Sequence, residues 1–368
     1  MSATTLDFEV KRDDLRSGEF VRGADPARSA LAPGELQFAI DHFALTANNI
    51  TYAAFGEAMA YWQFFPARPG WGRVPVWGFA DVLRSRHDGL REGERVYGYF
   101  PMSSHLVVQA DRVGDASFVD AAPQRAKLPP VYNQYTRLGA AHRRELEDAH
   151  MLFRPLFVTS FLIDDLLAER GFFAAQQIVL SSASSKTSLS LAYLLSRRTQ
   201  PRAEVVGLTS PAHRAFVART GCYDRVVAYD EVATLHRSPA IYVDMAGNAQ
   251  LLAAVHRHFA SELKHSCLVG ATHWEARGAA AGSSREPLPG PKPEMFFAPD
   301  RVRARVHEWG AAGFDARVDA SWRGFAEAAS GWTLTTRHRG ESAVRAAYLE
   351  VLENRALPER GYVLSLRE

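Results

Sequence analysis

Between Gln177 and Gly270, short runs of aliphatic and β-branched residues alternate with segments of helical pattern. That alternation limits the fold more than any other feature of the chain. The runs Gln177–Leu180, Glu204–Leu208, Arg225–Tyr229, Ala240–Asp244 and Lys264–Gly270 are predicted strands. Leu189–Arg197, Pro211–Thr220 and Leu251–Phe259 are predicted helices between them. Strands and helices at this spacing build a parallel, doubly wound sheet. A helix over Leu152–Glu169, stopped by Gly171, leads into it.

The first 130 or so residues read differently, as short strands and turns. Leu36–Leu45, Val74–Leu83, Arg95–Phe100 and Ser103–Gln109 are predicted strands, with a tight polar turn at Arg91–Glu94. A chain of 368 residues exceeds what one core usually holds, so two domains are expected. We expect 131–289 to be the dinucleotide-binding domain, and 1–130 with 290–368 to form the other. Ala279–Pro293 reads as a loop or linker. Helices are predicted over Asp300–Trp309, Asp319–Glu327 and Glu341–Glu353, and a strand over Gly361–Leu366.

With 43 Lys+Arg against 41 Asp+Glu, the chain offers no electrostatic reason to bind nucleic acid. Cys222 and Cys267 alone exclude a disulfide framework and a Cys-rich zinc lobe, and suit a reducing, cytoplasmic setting. Leu152–Ala168 and Ile178–Leu195 carry charges or serines, so no membrane span is expected.

The sharpest local feature is the run Ser181–Ser188 (SSASSKTS), set between a buried strand and a helix. Small side chains there let a backbone approach phosphate, and the helix N-terminus supplies free N–H groups. Ser182, Ala183, Ser184, Ser185, Lys186 and Thr187 are the candidate phosphate contacts. Glycines are absent: Ala183-x-Ser185-x-x-Ser188 stands where Gly-x-Gly-x-x-Gly is usual. Ser185-Lys186-Thr187 also imitates a phosphate loop's Gly-Lys-Thr, though both flanking glycines are missing. The plainest alternative is a serine-rich helix cap that holds no ligand. The second strand ends without a carboxylate at Thr209 and Ser210, with His213 and Arg214 behind. Hydroxyls plus a cation favour a 2′-phosphate, hence NADPH over NADH.

Tyr52, Phe55, Tyr61, Trp62, Phe64, Phe65 and Trp71 crowd one span. They are either an aromatic core under a loop or the lining of an apolar pocket.

The order of elements over Leu36–Thr272 resembles the medium-chain dehydrogenase/reductase superfamily, and within it the zinc-independent quinone, enone and enoyl reductases. Leu90–Gly98 is similar to the "hydrophobic-x-x-Gly-Asp-x-Val" segment of that family. Val179–Leu189 resembles its phosphate turn, and Ile241–Gly247 its "Val-x-Phe-Asp-x-Val-Gly". Gly78-Phe79-Ala80 stands where the zinc enzymes have Gly-His-Glu, so no catalytic metal is expected.

The resemblance implies a GroES-like β-rich catalytic domain beside a Rossmann domain. It implies NADPH contacts at Asn49, Tyr229, Asp244, Met245, Gly247, Val269 and Gly270, besides the turn. It implies hydride transfer to an enone, quinone, enoyl thioester or ketone. Tyr52, then Tyr61, are the candidate proton donors to the developing oxyanion. His42 and His105 are weaker candidates. Asn48 and Asn49 could bond the nicotinamide or fix a turn. A cytoplasmic homodimer joined through an edge in Ala240–His273, acting on a small apolar or flat substrate, completes the expectation. A reductase-like protein that binds NADPH or nothing, without turnover, is the alternative, and a different reaction on the same scaffold is a third.

Overall fold

The computed structural model describes residues 4–139, 142–200, 202–269 and 287–367. It divides into two units, Met1–Leu152 with Leu334–Glu368, and Phe153–Thr333.

The first unit is built on a closed barrel. Glu35–Leu45, Pro75–Ser85, Arg95–Pro101, Gln134–Leu138, Ser117–Asp120 and His105–Asp111 pair in that order, and His105–Asp111 pairs back to Glu35–Leu45. Closure removes the exposed edges that an open sheet would leave. The strand Glu35–Leu45 serves two neighbours on one side. Its first half takes His105–Asp111, and its last residues take Arg360–Ser365, with Leu45 opposite Tyr362. Leu334–Arg339 adds a parallel strand outside that. Leu6–Lys11, Gly18–Arg22 and Trp71–Arg73 make a separate three-stranded sheet. Its first two strands escape the sequence reading because charged residues interrupt their apolar pattern.

The second unit carries the parallel sheet. Its order is Arg225–Ala228, Glu204–Thr209, Gln177–Leu180, Ala240–Asp244, Leu263–Leu268, Glu294–Met295. Gln177–Leu180 and Ala240–Asp244 fall where sequence periodicity predicts them. Ile178, Leu180, Ile241 and Val243 pack on one face with Ile163, Leu167, Leu191 and Leu195. Val179, Val206, Leu208 and Tyr242 pack on the other with Leu251, Val255 and Phe259. A sheet covered on both faces explains why its strands read as unbroken apolar runs.

Both boundaries of the second unit and one of its edges differ from expectation, and the unit begins at Phe153, not 131. The second unit runs to Thr333, not 289, because Ala298–Trp309 and Ala311–Ser330 are tied to the helix Glu147–Glu169. Arg301 and Arg305 pair with Asp165 and Glu169, and Phe325 packs on Phe153 and Phe157. The strand Leu263–Leu268 is not a bare edge, since Cys267 and Leu268 pair with Glu294 and Met295. Most of the loop expected over Ala279–Pro293, and Gly270, lie outside the described residues. Among the described residues no helix is long and apolar enough to cross a membrane.

Candidate functional site

In the parallel sheet, chain order reverses at Gln177–Leu180. Its next strand in sequence lies on one side, and Ala240–Asp244 lies on the other. Open parallel sheets bind ligands outside the carboxyl ends of their strands at such a point. The run Ser181–Ser188 leaves the sheet there.

Ser181 ties the two sides together. Its hydroxyl donates to Asp244 Oδ1 at 2.8 Å and accepts from the N–H groups of Met245 (2.9 Å) and Ala246 (3.0 Å). Asp244 Oδ1 also accepts from the N–H groups of Ala246 and Gly247. Burial raises the Asp244 carboxyl, against the pull of these hydrogen bonds. Asp244 therefore shapes the turn through Gly247, whose φ is +67°. Met245 is buried, and Val269 donates its N–H to the Asp244 carbonyl at 2.9 Å.

Ser182 sits at φ +49°, a left-handed conformation that glycine adopts at lower cost. Tyr229 hydrogen-bonds Ser182, and burial pushes its phenol up to about 12. The Ala183 N–H bonds the Leu208 carbonyl at 2.9 Å. Ser184 Oγ lies 3.1 Å from His213 Nδ1. Ser185 caps the helix Lys186–Ser196, its Oγ accepting from the Ser188 N–H at 3.2 Å. Tyr223 donates to the Ala183 carbonyl at 2.9 Å, which leaves Ser188 to donate to the Tyr223 oxygen at 2.9 Å. The Thr187 carbonyl accepts from Ser160 Oγ at 2.7 Å.

The hydroxyls of Ser181, Ser184, Ser185 and Ser188 thus have partners inside the protein. Ser185 Oγ is only an acceptor here and keeps its own O–H to donate. Toward an anion the helix start offers the Thr187 N–H, which has no intrahelical acceptor, since the Ser188 N–H is taken by Ser185 Oγ and the Leu189 N–H by the Ser185 carbonyl. Lys186 does not imitate a phosphate-loop lysine. Its Nζ lies over the Phe153 ring, 5.7 Å from the centroid, and burial lowers it to about 8.

At the end of the second strand, Thr209 Oγ1 and Ser210 Oγ are buried without a hydrogen-bond partner among the described residues. Arg214 follows, and although the second strand itself ends without a carboxylate, one reaches Arg214 from another turn. Arg214 Nη1 donates to both oxygens of Glu231, at 3.2 and 3.0 Å. Glu231 lies on the turn Tyr229–Thr234 after the third strand, so the neighbourhood of the second strand in sequence could not reveal it.

The remaining candidates lie in the first unit. Asn49 is used structurally. Its Oδ1 accepts from the Thr46 N–H at 2.7 Å, and its Nδ2 donates to the Pro75 carbonyl at 2.9 Å. It fixes the start of the helix Ala47–Ala54, and its Nδ2 keeps a second N–H beyond the bond to Pro75. Tyr52 and Tyr61 are both buried in a cluster with Phe64, Phe65, Tyr99 and Tyr132, their ring centroids 4.6 Å apart. Burial raises both phenols, and Tyr52 is further engaged by Trp77 Nε1 at 3.5 Å. Their packing is that of an aromatic core.

Sequence reasoning missed a buried ionic cluster on the barrel. Arg95 donates to Glu147 (2.6 Å from both Nε and Nη2), Asp81 (2.9 Å) and Asp41 (2.8 Å). His42 lies between Asp41 and Glu147, at 3.0 and 3.1 Å, and His142 Nε2 is 2.8 Å from Glu147. Burial would raise Glu147, but hydrogen bonds from Arg95, His42 and His142 outweigh it and hold the carboxyl low. Asp41 is held low by His42 and Arg95. Asp41, His42 and Glu147 bring metal-type ligand atoms together. The guanidinium already takes the cation's place, bonding the same two carboxylate oxygens. Phe79 packs beside it, 5.7 Å from His42 and 5.6 Å from His142.

A barrel unit joined to a parallel unit with its small-residue turn at the switch point is the fold of the medium-chain oxidoreductases. CurA from Vibrio vulnificus is 14% identical, covers 99% of each chain and gives a TM-score of 0.64. CurA in complex with NADPH, from the same organism, is 13% identical over 98% of this chain and 97% of its own, at 0.63. The yhdH oxidoreductase from Salmonella enterica in complex with NADP is 13% identical over 100% of both chains, at 0.52. No curated protein matches the chain. By sequence it belongs to the family described as "protein of unknown function (DUF2855)", whose model matches residues 43–356.

Proposed function

We propose that this protein is an NADPH-dependent oxidoreductase whose parallel unit binds the dinucleotide across the turn Ser182–Ser188. One observation carries the reading. Thr209 Oγ1 and Ser210 Oγ are buried and unpartnered beside the helix N-terminus at the switch point. Buried hydroxyls without partners cost free energy, and an adenosine ribose would satisfy them. The Thr187 N–H and the positive end of the helix Lys186–Ser196 would hold the pyrophosphate, and Arg214 with His213 would face the 2′-phosphate. When bound, NADPH supplies a hydride. The structures solved with NADPH and NADP support that choice of coenzyme.

The acceptor in this reading is an enone, quinone, enoyl thioester or ketone, reduced without zinc. Phe79, standing where the zinc enzymes have a histidine, supports the latter. A second reading, a cofactor-binding protein without turnover, is favoured by one observation: the proposed proton donors Tyr52 and Tyr61 are sealed in an aromatic core.

Fluorescence titration of NADPH into wild type and Ser185→Asp tests the first reading. Aspartate preserves the helix cap while placing a charge against the pyrophosphate. The expected result is wild-type binding and at least a ~10-fold loss in the variant, on the scale of a helix-end charge effect. No binding by wild type sinks the oxidoreductase reading. Binding without oxidation of NADPH by any of the four acceptor classes selects the second reading.

A further inference from the structure

We infer that Glu231 is a selector of the coenzyme's 2′ position, an inference that rests on the dinucleotide reading above. The second and third strands run parallel, with Thr209 opposite Ala228. The turn Tyr229–Thr234 therefore brings Glu231 over the same sheet end as Thr209 and Ser210. Its carboxylate is held from two sides, by Arg214 Nη1 and by the Ala228 N–H at 3.3 Å. Arg214 and Glu231 are about equally exposed, with side-chain accessibilities of 50% and 42%, so both can meet a solute.

The pair changes what Arg214 can do. Alone, a guanidinium beside two hydroxyls is a phosphate site. Paired with Glu231, it contributes no net charge. An arriving 2′-phosphate must draw Arg214 away from Glu231 and sit beside a like charge. A 2′-hydroxyl has the opposite need, an acceptor, and the carboxylate offers one. Glu231 therefore holds down the margin by which the phosphorylated coenzyme is preferred.

The test uses nucleotide fragments that carry only this end of the coenzyme. Binding of 2′,5′-ADP and of 5′-AMP is measured by calorimetry on wild type, Glu231→Gln and Arg214→Ala. Glutamine keeps an oxygen for the Ala228 N–H while removing the charge. In Glu231→Gln, 2′,5′-ADP should bind about fivefold or more tightly while 5′-AMP changes less than about twofold, the range expected of one partly exposed charge contact. Arg214→Ala should weaken 2′,5′-ADP and spare 5′-AMP. An unchanged ratio of the two affinities in Glu231→Gln overturns the selector and leaves the dinucleotide reading standing. Failure of all three proteins to bind either fragment or NADPH overturns both.

Discussion

The serine turn of the parallel unit and the Arg95 cluster of the barrel each do without a part that their fold commonly uses. The turn lacks glycines. The cluster gathers ligand atoms of metal type around a guanidinium. The turn manages with short-range hydrogen bonds of neutral hydroxyls and N–H groups, with the Asp244 carboxyl their single ionisable acceptor. The cluster manages with charges drawn from Asp41, His42, Asp81, Arg95, His142 and Glu147. Neutral hydroxyls can be lost one at a time at modest cost. A buried ion cluster fails together when its one central cation is removed.

The largest expected effect follows from that contrast. Arg95→Ala should lower stability by about 3–5 kcal/mol in denaturant unfolding, because it strands three carboxylates. A loss under about 1 kcal/mol would mean that water solvates the cluster and would erase the distinction.

Lys186 puts a charge cost into the neutral region. Its folded value of about 8 lies below the ordinary 10.5, so the fold disfavours the charged amine. The cost is full below pH 8 and gone above 10.5. Lys186→Met should therefore stabilise the protein by up to about 3 kcal/mol at pH 7, with the gain vanishing near pH 10.5. A gain that persists at pH 10.5 would trace to packing on Phe153 instead.

Tyr223→Phe should cost about 1–2 kcal/mol by leaving the buried Ser188 hydroxyl and the Ala183 carbonyl short of a partner. Adding Ser188→Gly should recover part of it. If the double variant is no better than the single, the Tyr223–Ser188 bond is not what replaces glycine there.

The smallest effect sharpens the charged side. Burial would lower His42, but Asp41 and Glu147 outweigh it and raise its pKa above 6.5. Its contribution is present below 6.5 and lost as pH rises through the higher folded value. Wild type should lose stability relative to His42→Asn between pH 6 and 9, by less than about 1 kcal/mol. The opposite slope would place His42 outside the cluster's field.

What could be read in advance follows the same division. The strands Gln177–Leu180 and Ala240–Asp244 and the small-residue turn are contiguous and periodic, so the sequence displays them. Ser181 is contiguous too, but its role depends on Asp244, brought beside it only by the parallel pairing. Glu231 and the Arg95 cluster join residues distant in sequence, and no spacing reveals them. The helix Ala311–Ser330 was legible only around Asp319–Glu327, because Gly313 and polar residues weaken the apolar stripe of its first half. Tyr52 and Tyr61 show the limit of a local reading: an aromatic-rich segment looks the same whether it lines a cavity or fills one.

The barrel strand Glu35–Leu45 finds its neighbour Arg360–Ser365 only after the parallel unit has been made between them. During synthesis at about 5–20 residues per second, that half of the strand waits on the order of 15–60 s with its edge open. The inserted unit, complete once Thr333 has emerged, can fold first. The six barrel strands all precede Gly139 and can close early, and the pairing at the end of Glu35–Leu45 comes last. Nascent chains stalled just before Arg360 should be the form that chaperones hold and proteases find.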